Sequence, residues 1–399
     1  MFDIRARAMR HLEKLCVEIG SRPIGSPANR AAADYIRDSF GSSGCEVEEQ
    51  PYACTAWEHT STVLELFGER LTVVANAFSL PCDVTAPVVA ASTIPELEAA
   101  PACGQILLLY GDLVCTPLSA KSWFLKGERD ERIIQVLETL KPTALLAPPT
   151  ATDYYGQWTE DGELDFAAAT VPHDVALRLL RLSETPVHLC IKSRRMSSSA
   201  SNLVARKAGS NDKRIILCAH FDTKINTPGA LDNGSGEAVL LTLAEMLTPE
   251  TRPFTLEFVA FNGEEYLPLG DDEYLRRAQG YFGNILAAIN LDMVGPALGA
   301  NSITAMSCTA EFEAQIRSLA AHYPGVVWAE PWPESNHSTF SMRGVPSIAL
   351  SSVGMRSVTH SRGDTIEHVS PAALIEAINL VKEIVASLQQ DLMATGVSR

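Results

Sequence analysis

No stretch of the 399 residues is long and apolar enough to suggest a membrane span. Charge-free runs such as Met293 to Ala310 are interrupted by glycine, proline, asparagine and serine. The chain opens Met1-Phe2-Asp3-Ile4-Arg5 without the apolar core of a signal peptide, so the cytoplasm is the expected location. The nine cysteines (16, 45, 54, 82, 103, 115, 190, 218 and 308) are odd in number, scattered, and form no CxxC pair. That argues against a disulfide framework and against a cysteine-built structural zinc site, and it suits a reducing compartment. Positive charge is in deficit, with 32 Lys and Arg against 48 Asp and Glu and a net charge of −16. Such a surface repels phosphate backbones and anionic lipid, so neither nucleic acid nor a membrane is an expected partner. Internal repeats and low-complexity tracts are also missing.

What is present is ordinary globular material, 46% hydrophobic and 20% charged. The length predicts two compact units. Met9, Leu12, Leu15, Cys16 and Ile19 share a helical face that stops at Gly20. Ser26-Pro27 reads as an N-cap with proline in the first turn, followed by the stripe Ala31, Ala32, Tyr35, Ile36 and Phe40. Val47 to Leu66 is strand-like. Short β runs follow at Val88–Ala91, Gln105–Tyr110, Ala144–Ala147 and Val187–Ile191, with helices over 131–140 and 173–182. The stretch Ser197-Ser198-Ser199-Ala200-Ser201 reads as a linker.

Beyond residue 200 the pattern alternates between strand and helix. Strands are expected at Ile215–Phe221, Phe254–Phe261, Ile285–Leu291 and Ser347–Leu350, and helices at Glu237–Leu247 and Pro371–Leu388. The alternation predicts an α/β fold with a mixed, largely parallel sheet and helices on both faces, plus a smaller β-rich α/β insertion. Ligands in such sheets gather beyond the carboxyl ends of the strands.

Four polar clusters sit at those ends: His220-Phe221-Asp222 with Asp232-Asn233-Gly234-Ser235-Gly236, then Asn262-Gly263-Glu264-Glu265, Asn290-Leu291-Asp292, and Thr359-His360-Ser361. Imidazoles and carboxylates suit zinc, and a carboxylate can bridge two metals. Taken singly, each has a bland reading. A strand-end histidine is usually structural, a Glu-Glu pair a solvated surface, and an Asp beside glycines a turn residue. Asp292 is harder to dismiss, because it interrupts an apolar run where an unpaired carboxylate is costly.

The ordered set His-x-Asp, Asp-Asn-Gly-x-Gly, Glu-Glu, Asn-Leu-Asp-Met and a late histidine resembles the co-catalytic di-zinc aminopeptidase family. Its wider relatives include glutamate carboxypeptidase, glutaminyl cyclase and the transferrin receptor. The 12-residue step from His220 to Asp232, Ser335-Asn336-His337 with Phe340 and Gly344-Val345-Pro346, and Asp364-Thr365 extend the likeness. It covers residues 1–65 and 201–399 as a catalytic domain and implies a zinc-exopeptidase fold. Residues 66–200 resemble a protease-associated (apical) insertion.

The resemblance implies two zinc ions, with cobalt or manganese as substitutes. His220 and Asp292 would bind one, Glu265 and His360 the other, and Asp232 would bridge both. Glu264 would be the general base for a bridging hydroxide, and Asp222 would accept the spare ring N–H of His220. Residue pattern alone does not choose between Glu264 and Glu265, since neighbours at a strand end point opposite ways. Cys218 reads as core filler. The substrate expected is a peptide or small amide cut at its free N-terminus.

Three departures from the family pattern stand out. Asn336 replaces a usual Asp, Gly270-Asp271 replaces Gly-Ser, and Thr359 precedes the last histidine where some relatives have Tyr. Alternatives on the same core are a carboxypeptidase or dipeptidase, which would need Arg343, Arg356 or Arg362 to hold a carboxylate. Further off lie a glutaminyl-cyclase-like acyltransferase, a non-catalytic binding module and an all-oxygen calcium site, which two histidines oppose. The oligomeric state is not legible.

Overall fold

The computed structural model describes residues 3–123, 125–150, 156–182, 185–248 and 250–394. It divides into two compact units, one built from Met1–Cys54 and Ser199–Arg399 and the other from Thr55–Ser198.

In the first unit the N-terminal helices begin where the chain supplies caps. Asp3 accepts from the amide of Ala6 to open the helix Ile4–Glu13, which runs on as a π turn to Ile19 and ends at Gly20, φ 78°. Ser26 caps the amide of Asn29 and Pro27 opens the helix Pro27–Ser42. The sheet of this unit runs in the order Val326–Trp328, Ala300–Met306, Ser347–Val353, Ile285–Leu291, Arg214–His220, Thr255–Phe261 and the end of Pro186–Lys207. The four strands from Ser347–Val353 to Thr255–Phe261 are parallel; Ala300–Met306 runs antiparallel to Ser347–Val353 and parallel to Val326–Trp328, and the last strand runs antiparallel to Thr255–Phe261. This is the mixed, largely parallel α/β sheet expected from the sequence.

Alternation along the central strands loads both faces. Ile215, Leu217 and Ala219 join the core beneath the helices Ser235–Leu247, Pro371–Ala394 and the N-terminal pair. Ile216 and Cys218 face Tyr274 and Phe340, carried by the helices Leu269–Ala278 and His337–Ser341. Burying a side chain such as Phe40, Phe254 or Phe258 contributes about 1.5–3 kcal/mol each, which anchors the helices to the sheet.

The second unit is a smaller α/β layer. Cys82–Ala91, Ile106–Leu109, Ala144–Ala147 and Ala168–Thr170 pair in parallel, with antiparallel edges at Val74–Ala75 and Pro186–Ile191. The helix Glu128–Leu140 packs on one face and His173–Arg181 on the other.

One expectation fails here. Ser197–Ser201 is not a linker but part of the long strand Pro186–Lys207. The strand pairs with Glu46–Leu66, and the hydroxyl of Ser201 donates to Glu49 at 2.8 Å. Context outweighs the low strand preference of the composition.

Candidate metal centre

The parallel strands deliver their polar ends to one edge of the sheet. His220 closes Arg214–His220, Asp292 follows Ile285–Leu291, Glu264 and Glu265 follow Thr255–Phe261, and His360 lies beyond Ser347–Val353. Donor atoms of His220, Asp232 and Asp292 lie within 4.8 Å of one another, as do those of Asp232, Glu265 and His360. Asp232 belongs to both triads and divides its oxygens between them: Oδ1 is 3.4 Å from His220 Nε2, and Oδ2 is 3.0 Å from His360 Nε2.

The chemistry of the donors fits a pair of divalent cations. Five histidine and carboxylate side chains converge, four of them buried, and among the described residues Asp292 Oδ1 has no hydrogen-bond partner. A carboxylate in that condition asks for a cation. Burial would raise the carboxyl of Asp232, but His220 and His360 hold it well below the ordinary range. Burial would lower His220, and the charge of Glu264, followed by Asp222, Asp232 and Asp292, instead drives it well above the usual histidine value.

Glu264 and Glu265 divide as well. Glu265 Oε2 is 3.4 Å from His360 Nε2, inside the second triad, while Glu264 lies outside both, 3.8 Å from His220 Nε2. Asp222 accepts from the amides of Glu264 and Glu265, both at 3.2 Å, and so fixes the turn that aims them. Its Oδ1 is 3.6 Å from His220 Nδ1, a charge contact longer than a hydrogen bond. The ring is nonetheless oriented with Nε2 toward the triads.

Three residues to which the sequence reading assigned no role build the frame. Asn233 donates to Leu291 O at 2.8 Å and accepts from the amides of Gly236 and Met293, lacing the Asp232 turn to the Asp292 strand. Asp364 accepts from the amides of Leu231 and Asp232 at 2.7 and 3.0 Å. The guanidinium of Arg22, fully buried, donates to the carbonyls of Leu15, Gly20, Phe221, Pro228 and Gly229. It ties the N-terminal segment to both ends of the loop between His220 and Asp232. An arginine in a Gly-Ser-Arg-Pro turn carries no sequence mark of burial. Met293 and His360 adopt φ of 60° and 58°, left-handed conformations costly for residues with a Cβ. Such strain persists where the surroundings hold it, next to ligands.

Cys218 is buried in the core, as its reading had it, and donates to Asn290 Oδ1 at 3.4 Å. Two of the sequence departures meet, since Asn336 Nδ2 donates to Asp271 at 2.9 and 3.1 Å. Thr359 turns its hydroxyl to Arg356 O at 3.0 Å. Arg343 precedes the strand Ser347–Val353, at the opposite end of the sheet from Asp292, and donates to Thr339 O. Arg356 and Arg362 are exposed on the segment that carries His360.

The carboxyl edge of the sheet thus brings together two adjoining histidine–carboxylate triads, donor sets of the kind that divalent cations take. A family model described as Peptidase family M28 matches residues 202–385 of this chain. An aminopeptidase of Bacillus subtilis, YwaD, is 25% identical over 406 residues, covering 93% of this chain and 82% of its own. A probable lipoprotein aminopeptidase of Mycobacterium tuberculosis, LpqL, is 24% identical over 72% of this chain, and the match spans 58% of that relative's length. Among solved structures, a zinc aminopeptidase from Bacillus subtilis superposes with a TM-score of 0.77 at 20% identity, covering 96% of this chain and 94% of that one. A glutaminyl cyclase of Fimbriiglobus ruber shares the fold at a TM-score of 0.53 and 13% identity, over 96% and 94% of the two chains.

Proposed function

We propose that the chain is a zinc-dependent aminopeptidase with a two-metal centre. His220 and Asp292 would hold one ion, Glu265 and His360 the other, and Asp232 would serve both. The observation that carries this reading is the divided carboxylate of Asp232, which offers one oxygen to each triad. A pair of zinc ions would supply Lewis acidity toward a scissile carbonyl and lower the pKa of a water. Glu264, outside both triads, is placed to take a proton from the attacking water and return it to the departing amine. Asp222 holds Glu264 in place through its amide. The buried carboxylate of Asp292 also gives a protonated substrate amine a counter-charge, which favours cleavage at a free N-terminus.

Carboxypeptidase action is less well supported. Arg343 lies at the wrong end of the sheet to bind a substrate carboxylate, and Arg356 and Arg362 are exposed. A fold shared with a glutaminyl cyclase does not choose the reaction, so the donor set has to. Two triads that share Asp232 support the two-metal reading. Residues 55–198 stand as a protease-associated-like insertion in this reading.

The test is one short peptide offered with a free and with an acetylated N-terminus, to protein loaded with zinc and to protein stripped by chelator. Cleavage confined to the free peptide and the loaded protein is expected. Cleavage of both peptides from the C-terminal side would replace the aminopeptidase reading with the carboxypeptidase one.

A further inference from the structure

Asn290 is fully buried and pairs in register with Cys218 on the adjacent parallel strand. Each of these residues stands two positions before a ligand of the same triad, Asp292 and His220. Asn290 accepts from Cys218 Sγ at 3.4 Å and donates to Ser335 Oγ at 2.9 Å. It also faces His337 Nδ1 at 3.4 Å. His337 Nε2 lies 2.7 Å from Trp332 O and must donate there, which leaves Nδ1 as an acceptor for Asn290. The amide therefore joins two ligand-bearing strands to the segment 335–337.

That segment does not hold itself. Ser335 sits at φ 85°, a left-handed geometry that needs outside support. The support is Asp271, 6% exposed in the first turn of the helix Leu269–Ala278. Both of its oxygens accept from Asn336 Nδ2, at 2.9 and 3.1 Å, and the hydroxyl of Thr339 donates to it as well. Asn336 is itself 1% exposed, and its Oδ1 has no partner, so Asp271 is the only hydrogen-bonding anchor that side chain shows among the described residues.

We infer that Asp271 is a positioning residue for the metal held by His220 and Asp292, acting through Asn336 and Asn290. It touches neither ligand. Its carboxylate sets the segment that sets Asn290, which keeps the two strand ends in register. His360 lies on another segment, and Glu265, six residues before Asp271 on the same connection, is fixed at its amide by Asp222 rather than by Asn336 or Asn290. The inference rests on the reading that the two triads hold divalent ions, and the predicted effect is lopsided: one metal weakens and the other does not.

The experiment is zinc titration of chelator-stripped full-length protein by calorimetry, with the thermal midpoint of the metal-free protein measured alongside. Wild type is expected to take up two ions; uptake of none would overturn the two-metal reading and this inference with it. In Asp271→Asn one of the two oxygens that accept from Asn336 Nδ2 becomes an N–H donor, so one acceptor and the negative charge are lost. Loss of such an outer contact typically weakens a metal about 10- to 100-fold, and here only one of the two binding steps should weaken. The double variant Asp271→Asn with Asn336→Asp restores a donor–acceptor pair of reversed polarity, still open to the Thr339 hydroxyl, and should recover most of that loss. Two wild-type affinities in the single variant, equal weakening of both ions, or failure of the reversed pair to recover would each overturn the inference. Should Asp271→Asn not fold, Thr339→Val removes one bond to the same carboxylate and must give a smaller loss at the same step. An unchanged titration there would count against the proposal equally.

Discussion

Glu264 differs from its neighbour in what surrounds it rather than in chemistry. Burial raises its carboxyl to about 8; the charge of His220 works against that, and the carboxylates of Asp292, Asp232 and Asp222 add to it. Cations held by the adjoining triads would lower it from there, leaving the carboxylate ionised and able to accept a proton at neutral pH. Glu264→Gln is nearly isosteric and leaves both donor triads intact. It should lower kcat by about 100-fold or more while the zinc content of the dialysed protein stays at wild-type level. Activity undiminished in that variant would remove Glu264 from proton transfer. Glu265→Gln belongs to a different case, since its carboxylate faces His360 within a triad. At this scale the sequence was ambiguous between the two glutamates, because only the turn pinned by Asp222 decides which one enters a triad.

Elements explain why the ligands arrive together. The parallel strands 214–220, 255–261, 285–291 and 347–353 were legible because each is a short apolar run buried on both faces. Ala300–Met306 and Val326–Trp328 were not, and the reason lies in their residues. Asn301, Ser302 and Thr304 are polar yet buried, and the three-residue edge strand is too short for a periodic signal. The helix Leu269–Ala278 carries so many charges that no apolar stripe announces it, although Gly270, Asp271 and Tyr274 are buried. The turn entering the helix Ser235–Leu247 illustrates the tightest coupling of element to site. A Cβ on Gly236 would lie 2.3 Å from both Asn233 Oδ1 and Leu291 O, the contacts that lace the Asp232 turn to the Asp292 strand. Gly236→Ala should therefore cost about 1–3 kcal/mol of stability in a urea titration and weaken zinc binding at the same time. A loss of stability with unaltered metal affinity would show that the turn can shift without moving Asp232.

The whole molecule carries a feature that no single element reveals, a carboxyl buried in the core without a hydrogen bond. Glu237 is fully buried, and among the described residues neither of its oxygens finds a hydrogen-bond partner. Burial raises it to about 8, against smaller opposing effects of Arg22 and His220. The folded chain therefore keeps a proton that the unfolded chain releases near pH 4.5. Between those values the folded state binds more protons, so stability falls as pH rises, by up to about 1.4 kcal/mol per unit. Glu237→Gln abolishes this dependence. Urea midpoints measured from pH 5 to 8 with chelator present should decline less steeply for the variant than for wild type, and parallel curves would contradict the assignment. Among the described residues no helix is long and apolar enough to cross a membrane. What the sequence by itself determined is the ordered series of strand-end motifs and the α/β pattern, since hydrophobic period and polar punctuation are local properties. What only the tertiary structure decided is which carboxylate each oxygen faces, how Arg22 and Asp364 brace the loop to Asp232, and that Asn336 and Asp271 meet across 65 positions. Those are long-range distances, and a chain closes them only by burying the surfaces between them.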